Sequence, residues 1–248
     1  MNAPSWDEKA VARVRERIQN ARRVAALTGA GISAESGVPT FRGVDGLWKN
    51  FRAEDLATPE AFHRNPDLVW EWYDWRRTRI AQAAPNAGHL ALAGLERFKE
   101  TVLVTQNVDG LHALAGSKNL IELHGSIWRV RCTKCGRVWE NRTAPLSLPP
   151  RCEACGGLLR PDVVWFGESL DSGKLEAAFA SASKADVMLV IGTSALVQPA
   201  ASLAYAARRA GGYVVEINVE ATPFSDQADE VLRGPSGLIL PLLIPSEP

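Results

Sequence analysis

Val24-Ala25-Ala26-Leu27-Thr28-Gly29-Ala30-Gly31-Ile32-Ser33-Ala34 joins a short apolar run to a glycine-rich turn, and this junction sets the fold class. Four apolar residues and a threonine, bounded by glycine, read as a fully buried strand. Gly29 to Ala34 then fits the glycine-x-glycine-x-x-glycine/alanine turn, in which backbone amides approach a pyrophosphate. An ordinary tight strand–helix turn fits the same residues. The usual acidic residue about 20 positions further on, closing a second strand, is missing. Asp45 and Glu54 stand there amid tryptophan-rich helical sequence, so a dinucleotide ribose must be held by another element.

Upstream, Asp7 to Arg23 carries Val11, Val14 and Ile18 at helical spacing with charges between them. Downstream, Gly46 to Ala84 reads as helices, as does His89 to Lys99. Val102–Thr105, Ile121–His124, Asp162–Phe166, Asp186–Ile191 and Tyr213–Ile217 read as further strands, with helices at about 175–183 and 200–210. Strands alternating with helices predict an α/β fold, a mostly parallel sheet covered on both faces. Arg129 to Arg160 breaks the alternation with cysteines, glycines and prolines, and reads as an inserted small domain. The Pro241–Pro248 tail reads as loosely held.

All four cysteines lie in that insertion, as Cys132-x2-Cys135 and Cys152-x2-Cys155. Two such pairs suit a tetrahedral four-thiolate zinc site, with Gly136 and Gly156 completing the knuckle turns. Thiolate at all four positions leaves no open coordination site, so the Zn2+ is structural.

Composition narrows the function classes. With 28 basic and 28 acidic residues the formal net charge is zero, which argues against a protein built to grip phosphate backbones. No apolar run approaches the roughly 20 residues of a membrane helix. The N-terminal segment lacks a secretory apolar stretch, and Asp7, Glu8 and Glu16 oppose a transit peptide, so a cytoplasmic location is expected.

Three further motifs sit at strand ends, where parallel sheets build their sites. Gln106, Asn107 and Asp109, flanking Val108, suit a carboxamide and ribose hydroxyls; a capped polar turn is the plainer reading. His124, followed by Gly125, has the pKa range of a general base for a sugar hydroxyl, and a structural histidine is the alternative. Gly192-Thr193-Ser194, and Asn218 with Glu220, offer small polar groups for phosphate or ribose, or serve as helix caps.

Taken together in order, these segments resemble the sirtuin family. The resemblance rests on Gly29 to Gly37, Pro39-Thr40-Phe41-Arg42, Gln106 to Asp109, His124-Gly125, the four cysteines, Val164-Trp165-Phe166-Gly167-Glu168 and Gly192 to Ser194. It implies a Rossmann-like NAD-binding domain (1–45, 85–128 and 162–248), a helical module (46–84) and a zinc-ribbon module (129–161). It further implies an NAD-dependent protein-lysine deacylase acting on acyl-lysine proteins, with no direct nucleic-acid or membrane partner, as a monomer. NAD is consumed: the acyl oxygen attacks the ribose carbon bearing nicotinamide, and positions matching Asn107 and Asp109 seat the leaving group. His124 activates a ribose hydroxyl, and the acyl group leaves as 2'-O-acyl-ADP-ribose. Cofactor contacts are implied for Gly29, Ala30, Gly31, Ser33, Ala34, Glu35, Thr40, Phe41, Arg42, Gln106, Asn107, Val108 and Asp109. They are implied also for Gly192, Thr193, Ser194, Asn218, Val219, Glu220 and, at the adenine end, Ser236. Phe41 suits shielding of the reacting centre from water. Val164 to Glu168 would pair with the substrate backbone as an added strand.

A narrower resemblance is to class III sirtuins, which prefer succinyl and malonyl groups. Tyr73 and Arg76 stand at i and i+3, on one helix face. Arg76 suits a bidentate clamp on a distal carboxylate, Tyr73 an added hydrogen bond, and Ala57 leaves room for the longer chain. Acetyl-lysine fits the same pocket. An aromatic helix packed on the core, with Arg76 solvated, is the alternative. Hydride transfer, mono-ADP-ribosyl transfer and a zinc-ribbon nucleic-acid binder are the rival functions. The missing ribose acid opposes the first, and the neutral charge the last.

Overall fold

Residues 6–39, 47–48 and 51–244 are described by the computed structural model. The chain begins with α1 (Glu8–Asn20), β1 (Arg23–Thr28), α2 (Ala30–Ala34), β2 (Leu47–Trp48), β3 (Phe51–Arg52) and α3 (Ala53–Leu56). It continues with α4 (Pro59–Arg64), α5 (Pro66–Ile80), α6 (Ala87–Leu95), β4 (Glu100–Thr105), α7 (Leu111–Leu114) and β5 (Leu120–Glu122). Next come β6 (Gly125–Cys132), β7 (Val138–Glu140), β8 (Leu159–Val163), α8 (Ser172–Lys184) and β9 (Val187–Ile191). The last elements are α9 (Ser202–Arg209), β10 (Tyr213–Asn218), β11 (Glu230–Arg233) and α10 (Ser236–Leu243).

Alternation of side chains along buried strands explains the layers. Val24 and Ala26 of β1 join Leu189, Ile191, Val215 and Ile217 in one core with Val14 and Ile18 of α1 and Leu240 of α10. Ala25 and Leu27 point the other way, into a core with Met188, Val190, Val214, Ala178 of α8 and Leu203 of α9. Each fully buried Leu, Ile or Val contributes roughly 1.5–3 kcal/mol by removal from water. Local signals start the helices: Asp7 caps α1 by accepting from Lys9 N–H, and Asn86 caps α6 by accepting from Gly88 and His89.

The larger sheet has the order β11-β10-β9-β1-β4-β5, every neighbouring pair parallel. This is the doubly wound order, and the chain reverses its direction of travel between β1 and β9. A crevice at the carboxyl ends of the strands follows from that reversal.

The smaller sheet, β7-β6-β8, is antiparallel and carries the first cysteine at the end of β6. Its core is shared with the helices before it: Ile127, Trp128, Val130, Cys132 and Leu159 pack with Ala57, Trp70, Trp72 and Tyr73. The helical and cysteine modules are therefore one small body. Arg77 fastens them. It is fully buried and donates to the carbonyls of Ile127, Asn141 and Thr143, with its guanidinium 5.1 Å from the Trp128 ring.

Three sequence expectations need correction. The strand expected at 162–166 is β8, which ends at Val163 and pairs with β6 in the smaller sheet, so the expected 161/162 boundary falls inside it. The parallel sheet's sixth strand is instead β11, too short and too charged to stand out in the sequence. The tail is not loose through Ile244: α10 runs over Pro241, and Leu240, Leu243 and Ile244 are buried against α1 and α6.

Candidate active site

At the switch point the turn after β1 meets the turn after β9. Gly29 N–H donates to Ile191 O at 3.0 Å, and Gly31 N–H to Gly192 O at 2.8 Å. A Cβ on Gly31 would stand 2.7 Å from Gly192 Cα and 2.8 Å from its carbonyl oxygen. Both atoms are backbone and cannot swing aside, so close approach of two turns dictates glycine here. Gly31→Ala should destabilise by about 1–2 kcal/mol net, overpacking of about 2–3 kcal/mol less the ~1 kcal/mol alanine gains in a helix. The measurement is a thermal melt, with a fall of roughly 2–8 °C expected and an unchanged midpoint contradicting the close approach.

From this junction a line of hydrogen bonds crosses the ends of four strands, β5, β4, β9 and β10. His124 Nδ1 lies 3.0 Å from Gln106 O. A carbonyl oxygen only accepts, so Nδ1 carries the hydrogen and Nε2 keeps its lone pair. Gln106 Nε2 donates to Thr193 Oγ1 at 2.8 Å, and Asn218 Nδ2 donates to Thr193 O at 2.9 Å. Burial holds the His124 pKa below its usual 6.5, opposed by the Gln106 carbonyl.

Asn107 and Asp109 are tied to the glycine turn from behind. Asn107 Nδ2 donates to Gly29 O and Ser33 Oγ, which uses both amide hydrogens and leaves the carbonyl Oδ1 as its remaining group. Asp109 accepts from Ser33 Oγ at 2.7 Å and from Leu111 N–H at 2.9 Å. Burial raises the Asp109 pKa, and these two donors and the Arg76 charge oppose the rise. Beneath lie two buried histidines, His89 and His112, whose spacing in the sequence marks no site. The His89 and His112 rings lie 4.7 Å apart at a 55° tilt, and burial lowers their pKa to about 4 and about 3, so both are neutral near pH 7. Their contacts with Ser33 and Thr28 support the turn.

The small body supplies the opposite wall. Tyr73 and Arg76 share the buried face of α5, with Ala57 beside them. The Arg76 guanidinium lies 5.4 Å from the Trp72 ring. Burial lowers its pKa, while Tyr73 and Asp109 oppose that shift. Burial likewise raises the Tyr73 phenol. Val164 N–H donates to His124 O, and Phe166 N–H to Ala57 O, so the 164–168 segment bridges the two bodies.

One cavity of about 970 Å³ gathers most of these groups. From the larger sheet it is lined by Gly29 to Gly31, Gln106 to Val108, His124, Gly192 to Ser194 and Asn218 to Glu220. From the small body come Ala57, Tyr73, Arg76 and Val164 to Glu168. Trp72 and the 196–199 and 221–223 segments also line it; only their place beside named motifs marked them in the sequence. Ser33, Ala34, Glu35, Asp109 and Ser236 do not line it. Ser236 Oγ and Gly237 N–H instead donate to Glu35, closing a contact between α2 and α10. Thr40, Phe41 and Arg42 lie outside the described residues.

The cysteine sulfurs converge away from this cavity. All four Sγ atoms lie within 4.8 Å of one another, with Cys132–Cys155 at 3.4 Å and Cys135–Cys152 at 3.9 Å. A tetrahedron of sulfurs about 2.3 Å from zinc has edges of about 3.8 Å, so the residues fit the ion. Gly136 and Gly156 take φ of +72° and +68°, which lets each knuckle turn back on its cysteines. Zinc held here is closed off from substrate.

Comparison with known proteins bears on this geometry. A profile of the Sir2 family matches residues 29–199. An NAD-dependent protein deacylase of Aquifex aeolicus (strain VF5) is 58% identical over 208 residues, 83% of this chain and 87% of that protein. A crystal structure of a Sir2 homolog–NAD complex superposes with a TM-score of 0.90 at 48% identity, covering 98% of this chain and 94% of the other. A mutant Sir2 homologue complexed with 2'-O-acetyl ADP ribose gives a TM-score of 0.90 at 49% identity, covering 96% and 95%. Among the described residues no helix is long and apolar enough to cross a membrane.

Proposed function

The chain belongs to the Sir2 family, and from that premise we propose that its cleft removes acyl groups from protein lysine side chains with consumption of NAD, preferring acidic acyl groups. The observation that carries the reading is the single cavity onto which Asn107, His124, Tyr73 and Arg76 all open. The division of labour follows the two bodies: the parallel-sheet domain holds NAD, and the helical and zinc modules hold the acyl-lysine. NAD, when bound, supplies an electrophilic ribose carbon with nicotinamide as leaving group. The glycine turn against Gly192 gives backbone close approach for the pyrophosphate. Asn107 Oδ1 suits an N–H donor such as a carboxamide. Asp109 acts from behind the wall, holding Ser33 and the 109–111 turn. His124 Nε2 accepts a proton from a ribose hydroxyl, with Gln106 O steadying the other nitrogen. Arg76 and Tyr73 meet the distal carboxylate of a succinyl or malonyl group, and Ala57 leaves room for it. In the 164–168 segment the N–H groups of Val164, Trp165, Phe166 and Glu168 bond within the protein, so the substrate peptide would meet its remaining carbonyls and Gly167 N–H instead of a full strand edge.

Arg76→Met tests the acyl preference. Loss of a charged hydrogen bond lowers kcat/KM on a succinyl-lysine peptide about 10- to 100-fold. The matched acetyl-lysine peptide should change far less. Equal losses on the two peptides would remove Arg76 from carboxylate recognition.

A further inference from the structure

Trp165 is held on three sides. The Phe62 ring lies 5.2 Å away, the Arg160 guanidinium 3.5 Å over the indole, and the indole Nε1–H donates to Tyr73 Oη at 2.8 Å. Arg160 is itself fixed by a two-point ion pair with Glu168, at 2.6 and 2.8 Å. Glu168 also accepts from Trp165 N–H at 2.9 Å, which closes the 165–168 turn. The indole therefore cannot rotate away from the phenol.

A phenol oxygen accepts and donates, and which it offers a ligand depends on what its neighbours occupy. Trp165 is donor only, so it takes an acceptor position on Tyr73 and leaves the hydroxyl hydrogen for another partner. We infer that Trp165 is a specificity-determining positioning residue, fixing Tyr73 as a hydrogen-bond donor to the distal carboxylate of an acidic acyl group. Tyr73 and Arg76 line the same cavity, so hydroxyl and guanidinium address one carboxylate. Burial keeps the phenol protonated, which preserves the donor. Acetyl-lysine has no distal oxygen and is indifferent to the device. This inference rests on the acidic-acyl reading above.

The test compares Trp165→Phe, Tyr73→Phe and the double variant on matched succinyl- and acetyl-lysine peptides at saturating NAD. Trp165→Phe should raise KM for the succinyl peptide roughly ten-fold. On the acetyl peptide the same variants should lose several-fold less than on the succinyl peptide, and the double variant should lose no more than Tyr73→Phe alone. Trp165→benzothienylalanine, which replaces N–H by sulfur in a ring of the same shape, should reproduce the effect without a packing change. Independent losses in the double variant, or equal losses on both peptides in the sulfur variant, overturn the inference. Selective loss in Arg76→Met but not in the Trp165 variants overturns Trp165 alone. A wild-type enzyme indifferent to the succinyl carboxylate overturns the acyl reading and this inference with it.

Discussion

His124→Ala lowers the rate of acyl removal about 10²- to 10⁴-fold, the range for loss of a general base, while the fold survives. The imidazole is only half-buried, and among the described residues its one hydrogen bond is to Gln106 O. Truncation therefore leaves one carbonyl to find water and removes no core packing. The pH profile carries the same signature. A base works unprotonated, and burial sets the His124 pKa below 6.5. Activity is thus full at neutral pH and falls only as pH drops through that lowered value. Near-wild-type turnover in His124→Ala, or an acid limb centred above 6.5, would remove His124 from the role.

Removing zinc should have the second large effect. Apparent binding free energies of structural zinc are about 10–16 kcal/mol, as large as the whole stability of a typical domain at about 5–15 kcal/mol. Cys132 and Cys152 are buried in the same core as Trp70, Trp72 and Tyr73, so loss of the ion reaches the acyl wall of the cavity. Cys152→Ser, or exhaustive chelation, should abolish stoichiometric zinc, melt the small body and cut activity more than 100-fold, on the order expected for a wall misplaced by an ångström. Zinc content, near-ultraviolet circular dichroism and turnover report the three. A metal-free protein with native spectrum and activity would contradict a structural zinc.

Much of this was legible before any coordinates, for reasons specific to each element. Val24–Leu27 and Val187–Ile191 are apolar at every position because both sheet faces are covered, so they stand out as buried strands. The cysteine spacing declared its chemistry because two knuckles need nothing long-range to form. Asp162–Phe166 misled because an apolar run carries no record of which sheet it joins: β8 pairs backwards onto β6 through Gly125, a contact 38 residues apart (163 − 125). The Pro241 tail misled because its helix is held by tertiary burial of Leu240 and Leu243 against α1 and α6, which outweighs the proline. His89 and His112 were hard to see because their role is to support Ser33 and Thr28 from beneath, and support leaves no spacing pattern. The grouping of Asn107 and His124 with Tyr73 and Arg76 joins segments after two sheet strands with a helix, and only the folded chain brings them to one cavity.

The most direct test is mass spectrometry of matched acetyl- and succinyl-lysine peptides incubated with the zinc-loaded protein, with and without NAD. The account predicts NAD-dependent loss of the acyl mass, one nicotinamide and one 2'-O-acyl-ADP-ribose per lysine freed, and faster reaction of the succinyl peptide. Folded, zinc-loaded protein that leaves both peptides intact, or adds ADP-ribose mass to them instead, would contradict it.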